Sequence, residues 1–125
     1  MNEDDLKRRT KQFALRVMKL VDALPKTVSG RAMGSQLFRA ATSVGANYRA
    51  ACRGRSRAEF IAKLGFVVEE IDESEYWLDL IVEGGLLPAT RVKLLQLEAG
   101  ELVAIFVASK KSAQSKIENQ KSKMR

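Results

Sequence analysis

Glu70 and Glu73 stand three residues apart in the run Glu69-Glu70-Ile71-Asp72-Glu73, a spacing that puts both carboxylates on one helix face. Bundle proteins that hold two metal ions use this spacing as Glu-x-x-His, supplied by two helices. The chain has no histidine, so the commonest metal ligand and the commonest general base are both missing. Carboxylates alone would hold magnesium only weakly, and neither a metal nor a cofactor is expected. No serine stands in an interpretable motif with a base, so no hydrolytic site is marked and no enzymatic activity is expected. A structural reading of the carboxylates is favoured. Arg39 shares a polar stripe with Gln36, Ser43, Asn47 and Arg53, and an arginine inside a helical bundle needs a carboxylate partner. Arg39, Ser43, Asn47, Glu69, Glu70 and Glu73 are therefore expected to form a polar network, within one chain or across a subunit boundary.

The cations are the other groups that could do chemistry. Lys7, Arg8, Arg9 and Lys11 crowd one stretch, with Arg16 further along, and Arg49, Arg53, Arg55 and Arg57 crowd a second. Clusters of this kind attract phosphates and bind nucleic acid without reading its sequence. No recognition helix or base-stacking platform accompanies them; Tyr76 and Trp77 read as packing groups between helices. Residues 1–57 carry 13 Lys/Arg against 4 Asp/Glu, and residues 58–125 carry 9 against 11. That asymmetry suits a polyanionic partner, and equally suits neutralisation between two halves or two subunits.

The elements that must position these groups follow from period and punctuation. With 46% hydrophobic and 30% charged residues, two prolines and eight glycines, the chain favours long helices over a many-turned β fold. Leu6, Thr10, Phe13, Val17, Leu20 and Leu24 form the seam of a first helix that Pro25 ends. Met33, Leu37, Ala40, Val44, Tyr48 and Ala51 form the seam of a second, capped by Thr27 or Ser29 and stopped near Gly54. Its glycines and alanines thin one surface for close backbone approach. Ser56-Arg57-Ala58-Glu59 has the capping-box pattern and opens a third helix. Phe60, Leu64, Val67, Ile71, Leu78 and Ile81 follow in register there, with Ser74 as the one break. Gly84-Gly85 stops it, and Pro88 suits the start of a fourth with Val92, Leu95, Ala99, Leu102, Phe106 and Ala113 on its seam.

The fold expected is all-α, an antiparallel up-down-up-down four-helix bundle over residues 1–115, with helices at about 4–24, 29–53, 57–83 and 88–115. Residues 116–125 should form a basic, frayed tail. The all-round apolar run Leu102–Ala108 suggests a subunit interface, and is far too short to cross a bilayer, which takes about 20 residues. The start Met1-Asn2-Glu3-Asp4-Asp5 lacks the pattern of a secretory signal. The single Cys52 excludes an internal disulfide, fits a reducing compartment and reads as a buried small hydrophobe. A cytoplasmic chain without membrane partners is expected.

Particular residues carry a resemblance. Arg39-Ala40-Ala41-Thr42-Ser43-Val44-Gly45-Ala46-Asn47, then Arg53, Ser56, Glu59, Phe60 and Leu64, then Glu69-Glu70, Asp72-Glu73 and Tyr76-Trp77-Leu78, together with the turn Leu24-Pro25-Lys26, resemble the four-helix-bundle proteins encoded by intervening sequences of bacterial 23S ribosomal RNA genes. The resemblance spans nearly the whole chain apart from its basic tail. It implies a cytoplasmic bacterial homopentamer. A similar branch, the accessory proteins of diversity-generating retroelements, implies partnership with a reverse transcriptase and nucleic acid. Two readings stand together. One is a non-enzymatic pentameric accessory factor that binds RNA or DNA, with a polymerase-type protein as a further partner, through Lys7, Arg8, Arg9, Lys11, Arg16, Arg49, Arg53, Arg55 and Arg57. The alternative is a homo-oligomeric protein-interaction scaffold with no nucleic-acid role.

Overall fold

In a computed structural model, which describes residues 1–124, every regular element is a helix and no strand occurs among the described residues. Helix α1 (Glu3–Asp22) opens on Asn2, whose side chain accepts from the Asp5 N–H at 2.8 Å while the Asp5 carboxylate accepts from the Asn2 N–H at 3.2 Å. This reciprocal capping box, with Glu3, Asp4 and Asp5 at the positive end of the macrodipole, fixes the start of the helix.

Helix α2 (Val28–Cys52) starts at Thr27, whose hydroxyl accepts from the Gly30 N–H at 3.1 Å. Helix α3 (Arg57–Glu83) starts at Ser56, which accepts from the Glu59 N–H at 3.1 Å. Only this serine half of the expected capping box forms. The Glu59 carboxylate lies along the helix at 3.9 Å from Lys63 instead, an i,i+4 pairing that competes for it. Gly85 takes φ +71°, while its N–H reaches the Val82 carbonyl and the Leu86 N–H reaches the Ile81 carbonyl. That is a Schellman ending, and the left-handed residue at its centre favours glycine.

Helix α4 (Ala89–Lys123) runs well past the boundary expected at 115. From Lys116 to Lys123 there is neither glycine nor proline to stop it, and Lys121 and Lys123 complement the negative end of the dipole. Beyond Ala113 no residue is buried, and only Ile117 is half-buried among those described.

The four seams make one core. Leu6, Phe13, Val17 and Leu20 of α1, Leu37, Val44 and Tyr48 of α2, Leu64, Val67, Ile71, Leu78 and Ile81 of α3, and Val92, Leu95, Leu102 and Phe106 of α4 all join it. Ser74, the break in the α3 register, is buried and donates to the Glu70 carbonyl at 2.8 Å, so it enters the core without an orphaned hydroxyl. Each helix packs on the next in sequence, and α1 meets α4 only sparsely. Within Leu102–Ala108 only Leu102 and Phe106 are buried in the single chain, while Ala104 and Ala108 are exposed.

At Gly30 the turn after α1 folds directly onto α2: a Cβ there would lie 2.0 Å from the Pro25 carbonyl oxygen. Helix propensity alone would favour alanine by about 1 kcal/mol. The obstacle is backbone and cannot swing aside, so overlap wins. Gly30→Ala is expected to destabilise the fold by about 2 kcal/mol, read as a lower denaturant midpoint at unchanged slope.

Candidate functional site

Helices α1 and α2 approach closely where Gly45 faces Thr10: a Cβ on Gly45 would stand 3.3 Å from the Thr10 hydroxyl. Thr10 is buried and donates to the Leu6 carbonyl at 2.8 Å, so its own helix satisfies it. Small side chains on both helices, Ala14 and Ala46 among them, leave an open groove of about 630 Å³ above this contact.

Five cations line that groove and no carboxylate does: Lys7, Arg8 and Lys11 from α1, Arg49 from α2, and Arg53 at its C-cap. Lys7 and Lys11 are one turn apart, as are Arg49 and Arg53, so each wall carries a pair of charges in line. Lys7 sits 3.7 Å from Glu3 and Arg8 donates to Asp5 at 2.9 Å. Both are local surface pairs, of the kind that contributes little and exchanges readily for another anion. The Asp5 carboxyl is held below its ordinary range, first by the Asn2 N–H and then by Arg8. Lys11, Arg49 and Arg53 are exposed and stand in none of the ion pairs of the described residues.

The other four cations of the expected set lie elsewhere. Arg9 points to α4, where it donates to both oxygens of Glu98, at 2.7 and 2.6 Å, and to Glu101. Its side chain is 23% exposed and that of Glu98 14%. Hydrogen bonding to Glu98, the first cause, raises the Arg9 pKa. Arg9, expected among the nucleic-acid-binding cations, is placed as a strut between helices, its half-buried guanidinium engaged by a bidentate carboxylate. Arg16, seven residues on, follows the same stripe and is exposed, and Arg55 is exposed in the turn between α2 and α3. Arg57 lines a separate cleft of about 740 Å³ with Lys116, Cys52 and the buried Tyr48. Burial pushes the half-exposed Cys52 thiol up, away from thiolate.

On the α2–α3 face Arg39 donates to Glu70 at 3.3 Å and to Glu73, and Trp77 Nε1 donates to Glu73 at 3.2 Å. The Arg39 hydrogen bond, the largest cause, holds the Glu73 carboxyl below its ordinary range. The rest of the expected network is not drawn in. Ser43 donates to the Arg39 carbonyl of its own helix at 2.7 Å, Asn47 is half-buried and Glu69 is exposed. Arg39 itself is half-exposed, so within the single chain the cluster is a surface clasp. Tyr76 is exposed, with its ring centroid 5.1 Å from that of Trp77, and so does not pack between helices. Its place on α3, opposite the buried seam, accounts for this.

Sequence reasoning passed over Phe38, which is 43% exposed. It belongs to neither the apolar seam nor the polar stripe of α2, and its only signal is its place one turn before Thr42. Among the described residues no group of three or more His, Cys, Asp or Glu could hold a metal ion. No helix there is long and apolar enough to cross a membrane.

Three comparisons bear on this arrangement. A family model described as 23S rRNA-intervening sequence protein matches residues 3–108. A solved structure of a protein with unknown function from the S23 ribosomal protein family, from Bacteroides thetaiotaomicron, is similar with 30% identity and a TM-score of 0.79. The match covers 85% of this chain and 98% of that one. No curated protein matches.

Proposed function

The chain belongs to the 23S rRNA-intervening sequence protein family, and from that premise we propose a non-enzymatic, homopentameric bundle that binds RNA or DNA without regard to sequence. The observation that carries the proposal is the α1–α2 groove, lined by five cations and no carboxylate. Phosphate contacts supply most of sequence-independent affinity, and a closed ring of copies would repeat the groove around its circumference. Asp79 faces Gln96, Glu75 faces Gly100 and Gly65 faces Lys110. One number falls as the other rises, so α3 and α4 run antiparallel, as an up-down-up-down path requires of its last two helices. The ring of five, the cytoplasmic setting and a polymerase-type partner rest on the resemblance of the motifs.

A second reading draws on different residues. Leu94 and Leu97 on α4 are 69% and 56% exposed, one turn apart. Apolar side chains left open together favour contact with protein, either another copy or a different partner. Under the scaffold reading this contact is the whole function and the groove serves solubility.

Titrating a labelled single-stranded RNA and a DNA duplex into the purified protein at several salt concentrations tests the proposal. Its oligomeric mass is to be measured in parallel. Expected are micromolar or tighter binding at physiological salt and a linear fall of log affinity with log salt. Absence of binding even at low salt sinks the nucleic-acid reading and leaves the scaffold.

A further inference from the structure

The groove has a shape and a neighbour that discriminate between nucleic acids. Packed helix axes lie about 8–10 Å apart, so the furrow between α1 and α2 is narrower than a nucleic-acid duplex. A duplex could rest only on its rim. Along each wall the i,i+4 pairs, Lys7 with Lys11 and Arg49 with Arg53, set cations about 5–6 Å apart at Cβ, comparable with the separation of successive phosphates in an extended strand. The walls continue past the charges into apolar surface. Thr42 lines the groove and donates to the Phe38 carbonyl at 2.7 Å, which places Phe38 one turn along the same wall. Met18 stands one turn beyond Ala14 on the facing wall. Phe38 is 43% exposed and Met18 40%, so an aromatic face and a polarisable thioether lie open where the cations end.

We propose that the groove takes a single-stranded nucleic acid, with its phosphates between the two lines of cations and a base stacked on Phe38. This rests on the reading of the groove as a nucleic-acid site and adds the class of ligand. Bases in a duplex are stacked on one another and cannot reach Phe38; those of a single strand can. Stacking on an aromatic ring is sequence-tolerant because every base has a π-face. It therefore adds affinity without adding a code.

The test compares wild type and Phe38→Ala against three labelled probes of equal length: an oligouridine strand, the same strand with abasic positions, and a DNA duplex. Wild type should bind the oligouridine about tenfold more tightly than the duplex. Phe38→Ala should weaken oligouridine binding about fivefold or more and leave the abasic strand and the duplex unchanged. Circular dichroism and oligomeric mass accompany each protein. Unchanged oligouridine binding in Phe38→Ala, or a duplex bound as tightly as the strand, overturns the inference while the groove reading stands. A changed oligomeric mass also overturns it, because Phe38 would then belong to a contact between copies. The groove reading fails by a separate route, if reversing its cations costs no affinity for any probe.

Discussion

Reversing Lys11 and Arg49 together to glutamate should weaken nucleic-acid binding about 100-fold at physiological salt. The two residues line opposite walls of the groove, are exposed, and stand in none of the ion pairs of the described residues. Each substitution removes a favourable charge and installs a repelling one in a channel that otherwise holds no carboxylate, so the effect on each wall counts twice. Because two phosphate contacts disappear, the slope of log affinity against log salt should also flatten by about 2. Arg9→Gln supplies the control. Its guanidinium is engaged by Glu98 and Glu101, so the variant should lose stability and keep its nucleic-acid affinity. Fluorescence anisotropy over a salt series reads both. An unchanged dissociation constant in the double reversal would mean that the groove is only a solvated face.

The second large effect concerns the core. Phe106→Ala should cost about 4 kcal/mol of stability. Phe106 is completely buried and lies edge-on to Tyr48 with ring centroids 5.0 Å apart, so the truncation loses transfer energy, leaves a cavity and ends an aromatic pair. Tyr48 also borders the cleft beside Arg57, and burial, the first cause, raises its hydroxyl pKa. Collapse around the missing ring would therefore disturb the end of the bundle as well as its middle. Chemical denaturation at fixed protein concentration gives the number, since an oligomer's apparent stability depends on concentration. A loss below about 1 kcal/mol would show that the neighbouring helices close the gap.

Much of this architecture was legible from period alone. Each seam residue of α1 from Leu6 to Leu20, Leu24 just past its end, and each of α4 from Val92 to Ala113 is buried where the heptad spacing puts it, because a helix has one face to bury and its spacing declares which. Ser56 announced one helix start, and Thr27 was one of two candidates, with Ser29, for another; both cap for the same local reason, their hydroxyls satisfying amide groups three residues ahead. What period cannot declare is the identity of the neighbour. Arg9 belongs to a basic cluster by sequence, yet its partner Glu98 is 89 residues away, and only the packing of α4 beside α1 unites them. Lys7, Arg8, Lys11, Arg49 and Arg53 likewise came from two clusters that the sequence could place on helices but not across a common groove. Arg57 and Arg55, a few residues further on, turn away because the chain itself reverses at Gly54. Phe38 was illegible for a different reason: an aromatic outside the seam looks like noise until the surface beside it is known.

The sparse meeting of α1 with α4 has a thermodynamic consequence. Helix α1 is anchored chiefly along one edge, to α2, with the Arg9 strut as its main polar tie to α4. Of the four helices it shares the least contact with the rest of the bundle, and its detachment would carry away the wall that bears Lys7 and Lys11. A polyanion bridging the two walls can bind only the closed form. By mass action it raises the free energy of opening as its own concentration rises. The ligand would thus act as a clamp on the least secured helix, making occupancy and local rigidity two readings of one equilibrium.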